Sequence, residues 1–395
     1  MKIAFVDQLG ASGGIIRFGM NLAKNISLLD KNISVTYFTN NYNYQTNKEL
    51  FENSKKHFKI RILNSTKHNF PNKYFRIIKN KIFKSNNHLE KEIYKVTKDF
   101  DIVYFTAPHN SEYISVKPKS FGTFHDLNWM YLFGTPLFKK ESIDMLDKQL
   151  RLWFDNTEVV VSTPFIENEI RMYFPDIKQN IHTVFVSALA NKVNPTPDSD
   201  DVLRELGIDR PYILYPGHLM PHKNHNILVS AFHDIQSNPP FKDNLLLVLT
   251  GANTDHFPYA KSSPVGLIRS NAFDFQIRGL GYLPNKQVDI IISRAKMIVS
   301  SSLYEAGSGP AVDAWINEVP CIISNILSHQ NQIDFFEVDC LTFDPMNKQD
   351  IVQKVKFGLE NIDLLKEQSK AASNKLIKYD WNNVAKQYYR LFSNR

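Results

Sequence analysis

The sequence predicts an α/β chain made of two doubly wound parallel-sheet domains. Three observations carry this. Short, wholly apolar runs recur along the chain, the pattern of strands buried on both faces, and glycine turns and helical periodicity follow them. The length of 395 residues exceeds what one core serves and fits two or three domains of ~100–200 residues. The order strand, glycine loop, helix also starts twice, at Lys2 and again at Tyr212. With 43% apolar and 22% charged residues, the composition is that of an ordinary globular protein.

Lys2 to Val6 reads as a buried strand, and the loop from Asp7 to Gly14 holds Gly10, Gly13 and Gly14. A helix follows with Ile15, Phe18, Leu22 and Ile26 near one face. A glycine turn after the first strand makes room for a ligand at the strand ends of a doubly wound fold. The spacing is not G-x-G-x-x-G, so no dinucleotide fingerprint is read. Ser34 to Phe38 is the second strand, and His57 to Leu63 alternates like a third, with Phe58, Ile60 and Ile62 facing one way. Asp101 to Thr106 is a strand ending at His109, and Ser120 to Phe124 is one ending in His125-Asp126. A histidine at the carboxyl end of a parallel strand stands at the crevice where such sheets bind ligands. A lone histidine is more often structural, so the residues alone leave its role open. Glu158 to Ser162 and Ile181 to Val186 complete the first set of strands. Ala188 to Asp200 (ALANKVNPTPDSD) breaks the composition with two prolines and no periodicity, which places the linker there.

The second domain opens with Tyr212 to Tyr215, then Pro216-Gly217-His218-Leu219-Met220-Pro221-His222-Lys223-Asn224 and a helix bearing Ile227, Leu228, Ala231 and Phe232. Lys223, near the helix start, can hold a phosphate as a compact point charge. Leu245 to Thr250 is a buried strand ending at Gly251. Phe275 to Leu280 leads into Gly281-Tyr282-Leu283-Pro284, and Val288, Ile291 and Ile292 mark the next helix. The stretch from Met297 to Gln332 carries the densest signal. Met297 to Val299 is a strand, Ser300, Ser301 and Ser302 its polar end. Glu305 and a loop with Gly307, Gly309 and Pro310 follow, then a helix with Val312, Trp315 and Ile316, and a further strand from Cys321 to Ile323. Two glycines let a ligand approach the backbone, and the helix start offers free N–H groups to an anion. Glu305 and Asp313 stand eight residues apart, one on each side of that start. This suits a nucleotide sugar, with diphosphate on the amides and carboxylates on sugar hydroxyls. Glycine turns are common in α/β proteins, so the loop alone does not settle the matter. After Phe343 the chain reads as helical, with Trp381, Val384, Tyr388 and Leu391 on one face of the last segment.

The net charge of +7 is uneven: residues 51–100 hold 13 Lys and Arg against 4 Asp and Glu. Within them, KHNFPNKYFRIIKNKIFK (Lys67 to Lys84) interleaves Lys73, Arg76, Lys79, Lys81 and Lys84 with aromatic and aliphatic residues. Such a stretch is a solvated face, a contact for an anionic membrane surface, or a phosphate contact for nucleic acid. No nucleic-acid-binding pattern accompanies it, so nucleic acid is not expected as a partner. No run of about eighteen apolar residues spans a membrane, and the first residues are too polar for a signal peptide. Cys321 and Cys340 make no disulfide framework or zinc site. The expected location is cytoplasmic, with peripheral attachment to the inner face of the cell membrane an open reading.

The segment Glu305 to Asp313 resembles the signature of retaining glycosyltransferases of family 4 (glycosyl transferases group 1), in the GT-B class. Their usual form is a Glu, a loop reading roughly Gly-Phe-Gly-Leu-Pro, and a second Glu eight residues after the first. Here the loop is Ala306-Gly307-Ser308-Gly309-Pro310 and the second acid is the shorter Asp313. The resemblance extends over most of the chain and is strongest from Tyr212 to Gln332. It implies GT-B architecture, two Rossmann-like domains facing across a cleft: an acceptor-side domain at 1–190, a nucleotide-sugar-binding domain at 191–375, and a last helix at 376–395 crossing back to the first. It implies transfer of a sugar, hexosyltransferase type, from a nucleotide diphosphate sugar to a glycan or lipid-linked acceptor in bacterial-type surface polysaccharide assembly. Retention of configuration, no metal and no cofactor are implied as well. By the same resemblance the catalytic residues are His125, close to the transferred sugar, Lys223 and Glu305. The donor-binding residues are Gly13, Gly14, Gly217, His218, Tyr282, Leu283, Ala306, Gly307, Ser308, Gly309, Pro310 and Asp313. Glu305 would fix donor sugar hydroxyls, Asp313 the ribose, and Tyr282-Leu283 the base. Lys223 matches the family's diphosphate-holding lysine. His218 stands where the family has an arginine, so a second charge there depends on protonation. The alternatives are a GT-B sugar-nucleotide epimerase and a non-catalytic nucleotide- or glycan-binding relative.

Overall fold

A computed structural model describes residues 1–7, 13–63, 87–131, 140–188, 192, 197–237, 239–241, 244–256 and 276–394 of the chain. The basic stretch with Lys73, Arg76, Lys79, Lys81 and Lys84 lies outside them. Apolar runs such as Ile3–Val6 and Leu246–Leu249, fully shielded from solvent, form strands that need cover on both faces, and helices between them supply it. Among the described residues the strands are β1 (Lys2–Val6), β2 (Ser34–Asn40), β3 (Lys59–Leu63), β4 (Ile102–Phe105), β5 (Lys119–Phe124), β6 (Glu158–Val161) and β7 (Ile181–Thr183), then β8 (Tyr212–Pro216), β9 (Leu246–Thr250), β10 (Ile277–Gly279), β11 (Met297–Ser300), β12 (Cys321–Ser324) and β13 (Leu341–Phe343).

The chain forms two units: Met1–Ser187 with Tyr379–Arg395, and Ala188–Lys378. Each holds one parallel sheet, ordered β3-β2-β1-β4-β5-β6-β7 in the first and β10-β9-β8-β11-β12-β13 in the second. In both, the order reverses beside the first strand, between β1 and β4 and between β8 and β11. Loops leaving two such neighbours diverge to opposite faces and open a crevice at the strands' carboxyl ends. The topology thereby fixes where each unit can hold a ligand.

The last helix, Trp381–Ser393, belongs to the first unit. Asp380 caps it by accepting from Asn383 N at 2.7 Å. Its buried face, Val384, Ala385, Tyr388 and Phe392, packs beside helix Gly13–Ser27. The Tyr388 hydroxyl lies 2.8 Å from Thr123 Oγ1 in β5. Burying side chains of this size contributes roughly 1.5–3 kcal/mol each.

Three features depart from the sequence expectation. Helices Asn41–Thr46 and Lys48–Ser54 follow β2 unannounced by apolar periodicity, the first capped by Asn40 accepting from Asn43 N at 2.8 Å. Helix Pro197–Glu205 begins inside the expected linker, with its proline where a missing N–H is harmless. In β3 only Leu63 is buried while Ile62 is 40% exposed, because β3 is an edge strand of its sheet.

Candidate active site

Two loops leave the crevice of the second unit, one from β8 and one from β11. Beyond β8 the chain turns tightly: Gly217 N donates to Thr250 O at 2.8 Å and Leu219 N to Ala252 O at 2.9 Å. Gly251 has φ +127°, and a Cβ there would meet Gly217 C and His218 N at 2.7 Å, so the loop can close only over a glycine. A single turn, Pro221–Lys223, ends at Asn224 in the left-handed region, whose Nδ2 donates to Pro345 O at 2.9 Å. The backbone of Lys223 is fixed from below: its carbonyl accepts from the Tyr215 hydroxyl at 2.8 Å and from Ser301 Oγ at 3.2 Å.

From the end of β11 onward, Ser300, Ser301 and Ser302 are buried, and Ser302 Oγ donates to Glu305 Oε1 at 2.6 Å. The same oxygen accepts from Lys223 Nζ, and the two side chains are only 11% and 14% exposed. Burial by itself would raise the Glu305 carboxyl; the Lys223 charge, aided by His222 and Ser302, outweighs it and holds the pKa at about 2. Such a pair gains little over an apolar filling, yet losing one partner leaves a buried charge, a loss of ~3–5 kcal/mol.

Three histidines around the pair, His218, His225 and His329, are neutral. Burial, then Lys223, pushes His218 down to about 3 and His225 likewise, the latter stacked on Tyr215 with centroids 4.6 Å apart. Burial lowers His329 to about 4, and its Nδ1 lies 2.8 Å from Ser324 O. His218, 5.8 Å from His222 ring to ring, therefore adds a hydrogen-bonding edge and no positive charge near neutral pH. Lys223 is the single Lys or Arg of the loop from Gly217 to Asn224.

The glycine loop departs from expectation in one respect. Helix Gly309–Ile316 starts as expected, but its first-turn amides are engaged. Gly309 N donates to Gly307 O at 3.1 Å, Pro310 has no N–H, Ala311 N donates to Ser308 Oγ at 3.2 Å, and Val312 N to Ser308 O at 3.2 Å. Ser308, an N-cap residue with its own hydroxyl, satisfies locally what an anion would otherwise satisfy. Ser308 is itself clamped by Gln332, whose Oε1 accepts from Ser308 N at 2.5 Å and whose Nε2 donates to Ser308 O at 3.2 Å. Gly309 faces open space, Ala306, Gly307 and Pro310 are partly exposed, and Asp313 is partly buried on the helix. Tyr282, 45% exposed, and buried Leu283 follow β10 after Gly281, whose φ is +66°.

In the first unit, Gly13 and Gly14 open helix Gly13–Ser27. His125 lies just past β5; its Nε2 is 3.0 Å from Thr106 O, and the Phe18 ring meets it edge-on at 4.6 Å. Burial, then His109, lowers it to about 4. His109, past β4, is 1% exposed and lowered by burial to about 3, with Asp126 Oδ2 4.0 Å from its Nε2. Asp126 also accepts from Asn128 N at 3.2 Å and shapes the turn. His109 was not singled out in the sequence, although it follows β4 as His125 follows its neighbour β5. Asp7 is another such residue, a buried carboxylate after β1 that accepts from Asn43 Nδ2 at 2.8 Å and Thr39 Oγ1 at 3.3 Å. Within the second unit, then, Gly217, His218, Lys223, Glu305 and residues 306–310 border one crevice, and Gly13, Gly14 and His125 border that of the first. Among the described residues no three His, Cys, Asp or Glu side chains are grouped to hold a metal ion.

Residues 199–375, nearly all of the second unit, match the family model of glycosyl transferases group 1. The O-antigen chain mannosyltransferase B of Escherichia coli is 23% identical over 249 residues, 61% of this chain and 61% of that protein, so the match spans less than two thirds of its length. WaaG, a glycosyltransferase involved in lipopolysaccharide biosynthesis, superposes with a TM-score of 0.70 at 12% identity over the whole of both chains. Anabaena HepE, in complex with UDP and glucose, gives 0.69 at 15% identity, again over all of both chains. A glycosyltransferase from Rickettsia africae ESF-5 gives 0.66 at 16% identity, covering 100% of this chain and 99% of that one. At such identities the likeness establishes the fold. The chain has the two-domain GT-B fold of these glycosyltransferases, and its second unit carries the group 1 sequence pattern.

Proposed function

We propose that this protein is a retaining, metal-independent glycosyltransferase that moves a hexose from a nucleotide diphosphate sugar to a hydroxyl of a glycan or lipid-linked acceptor in surface polysaccharide assembly. The observation that carries the reading is the Lys223–Glu305 pair at the switch point of the one unit that matches a glycosyltransferase family. The names of the similar proteins, an O-antigen mannosyltransferase and a lipopolysaccharide glycosyltransferase, support the polysaccharide setting. The sugar-nucleotide donor is supported by the UDP and glucose held by a protein of the same fold.

In this reading Lys223 neutralises charge on the departing diphosphate, the stabilisation a divalent cation gives elsewhere. Glu305 accepts hydrogen bonds from donor sugar hydroxyls, Asp313 from the ribose, and Tyr282 with Leu283 borders the base. His125, neutral, offers a hydrogen bond beside the transferred sugar and carries no charge to it. The leaving phosphate oxygen takes the acceptor proton on the same face. Mass spectrometry of glycan and lipid-linked acceptors incubated with UDP-, GDP- and dTDP-hexoses tests the proposal. Addition of one hexose with release of the matching nucleoside diphosphate is expected. Epimerised donor without transfer, or donor bound and never consumed, contradicts it.

The proposal includes a peripheral membrane attachment through Lys73, Arg76, Lys79, Lys81 and Lys84. Each basic residue near an anionic surface contributes on the order of 1 kcal/mol, screened beyond ~10 Å at 0.1 M salt. Sedimentation with phosphatidylserine vesicles should therefore occur at low salt and disappear when these five become Gln; indifference of the unaltered protein refutes it.

A further inference from the structure

Resting on the donor reading above, the geometry of the second unit also says how the site behaves between turnovers. The loop after β8 offers a diphosphate one Lys or Arg side chain, Lys223, and its ammonium is already bonded to the carboxylate assigned to the donor sugar. His218 and His225 add no charge. The first-turn amides of helix Gly309–Ile316 are held by Ser308 and Gly307. An arriving diphosphate thus finds a buried pair of zero net charge. To bind, it must take Lys223 away from Glu305.

We propose that the Lys223–Glu305 ion pair is a latch: the carboxylate competes with the donor's diphosphate for the lysine, and the sugar of an intact donor repays the carboxylate for losing it. The second half follows from Ser302. Its hydroxyl stays on Glu305 Oε1 at 2.6 Å when Lys223 leaves, so the carboxylate keeps one donor and lacks another. A buried carboxylate short of donors is unfavourable, and a hydroxyl of the donor sugar supplies what is missing. A nucleoside diphosphate without sugar supplies nothing and adds negative charge beside it. The latch thus favours the intact donor over the product nucleotide. After transfer, Glu305 recaptures Lys223 and displaces the nucleoside diphosphate.

Removing the competitor should strengthen product binding even as it impairs transfer. Titration calorimetry with UDP and with GDP on the full chain reads this directly. Glu305→Gln should bind the preferred nucleotide roughly tenfold tighter than the unaltered protein, since a partner's loss leaves the lysine buried and unpaired until phosphate arrives. Lys223→Met should lose more affinity in the Glu305→Gln background than alone. Ser302→Ala, which leaves Glu305 dependent on Lys223, should shift affinity the opposite way, weakening it; a merely structural role would move both variants in one direction. Circular dichroism confirms folding, and if Glu305→Gln does not fold, Ser302→Ala carries the test. Unchanged or weaker binding by folded Glu305→Gln, or unchanged binding by Ser302→Ala, overturns the latch while the donor reading stands. Failure of the unaltered protein to bind either nucleotide overturns both.

Discussion

The two units share a strand order and place polar side chains at strand ends near its reversal, yet the chemistry they place there differs. At the ends of β1, β4 and β5 stand the buried carboxylate of Asp7 and two neutral imidazoles, His109 beside the partly exposed Asp126 and His125 against the Phe18 ring. At the ends of β8 and β11 stands a buried ion pair on a floor of three buried serines. Neutral imidazoles and hydrogen-bond-accepting carboxylates suit hydroxyl-bearing groups; a buried cation with an exchangeable carboxylate suits a diphosphate and the sugar attached to it. One topology thus supports two tasks, and the side chains at the switch point decide which.

The comparison is sharpened first by acid, where the largest effect is expected. His218, His225 and His329 in the second unit have pKa values of about 3, 3 and 4, and His109 and His125 in the first about 3 and 4. Unfolded, each binds a proton below about 6.5. The stabilisation is therefore complete above that pH and falls as pH drops toward the folded values, by ~1.4 kcal/mol per unit for each histidine. Glu305, at about 2, gives way only later. Hydrogen exchange from about pH 7 to about pH 5 should show strands of the second unit, with three strongly lowered histidines against two, losing protection more steeply than those of the first. Equal slopes would break the comparison.

Next in size, Glu305→Gln should lower transfer by at least ~10²-fold, the scale for one preorganised electrostatic contact, whereas His125→Gln, which removes a neutral side chain, should cost less. Steady-state kinetics on one donor–acceptor pair measures both, and the reverse ranking would assign the charge-bearing role to the wrong unit. Gln332→Met keeps volume but strips both bonds from the buried Ser308 peptide. A loss of about 1–3 kcal/mol is expected, with KM for the donor raised more than kcat is lowered; a stability change with unaltered KM would make Gln332 only a structural strut. Smallest is His218→Arg: it adds the charge the family carries there and should leave the rate within about threefold, a change of less than 1 kcal/mol. Abolished nucleotide binding in that variant would mean that the β8 loop does not face the diphosphate.

Much of this was legible in the sequence. β1, β8, β9 and β11 are built on apolar runs, Ile3–Val6, Tyr212–Tyr215, Leu246–Leu249 and Met297–Val299, and such a run has the interior of a parallel sheet to go to. Lys223 and Glu305 could each be placed at a strand end, although 82 residues separate them. Their pairing could not be read, because each was assigned to a ligand and no local pattern says that two such groups satisfy one another. The Gln332 clamp on Ser308 spans 24 residues and uses a side-chain amide, a type with no periodicity to betray it. Nor did the sequence show that Ser308 would cap the helix and occupy its first amides, since the Gly-Ser-Gly loop reads as open until the serine's rotamer is known. The charge of His218 is decided by burial and by Lys223, neither visible in a residue type.

The central claim, that the charged crevice of the second unit holds the donor's diphosphate, is tested most directly by the affinity of Lys223→Ala for UDP and GDP, measured by calorimetry on folded protein. Removal of a charge that meets the phosphates should weaken the preferred nucleotide by at least ~10-fold, about 1.4 kcal/mol. Affinity equal to that of the unaltered protein would contradict the claim and move the donor elsewhere.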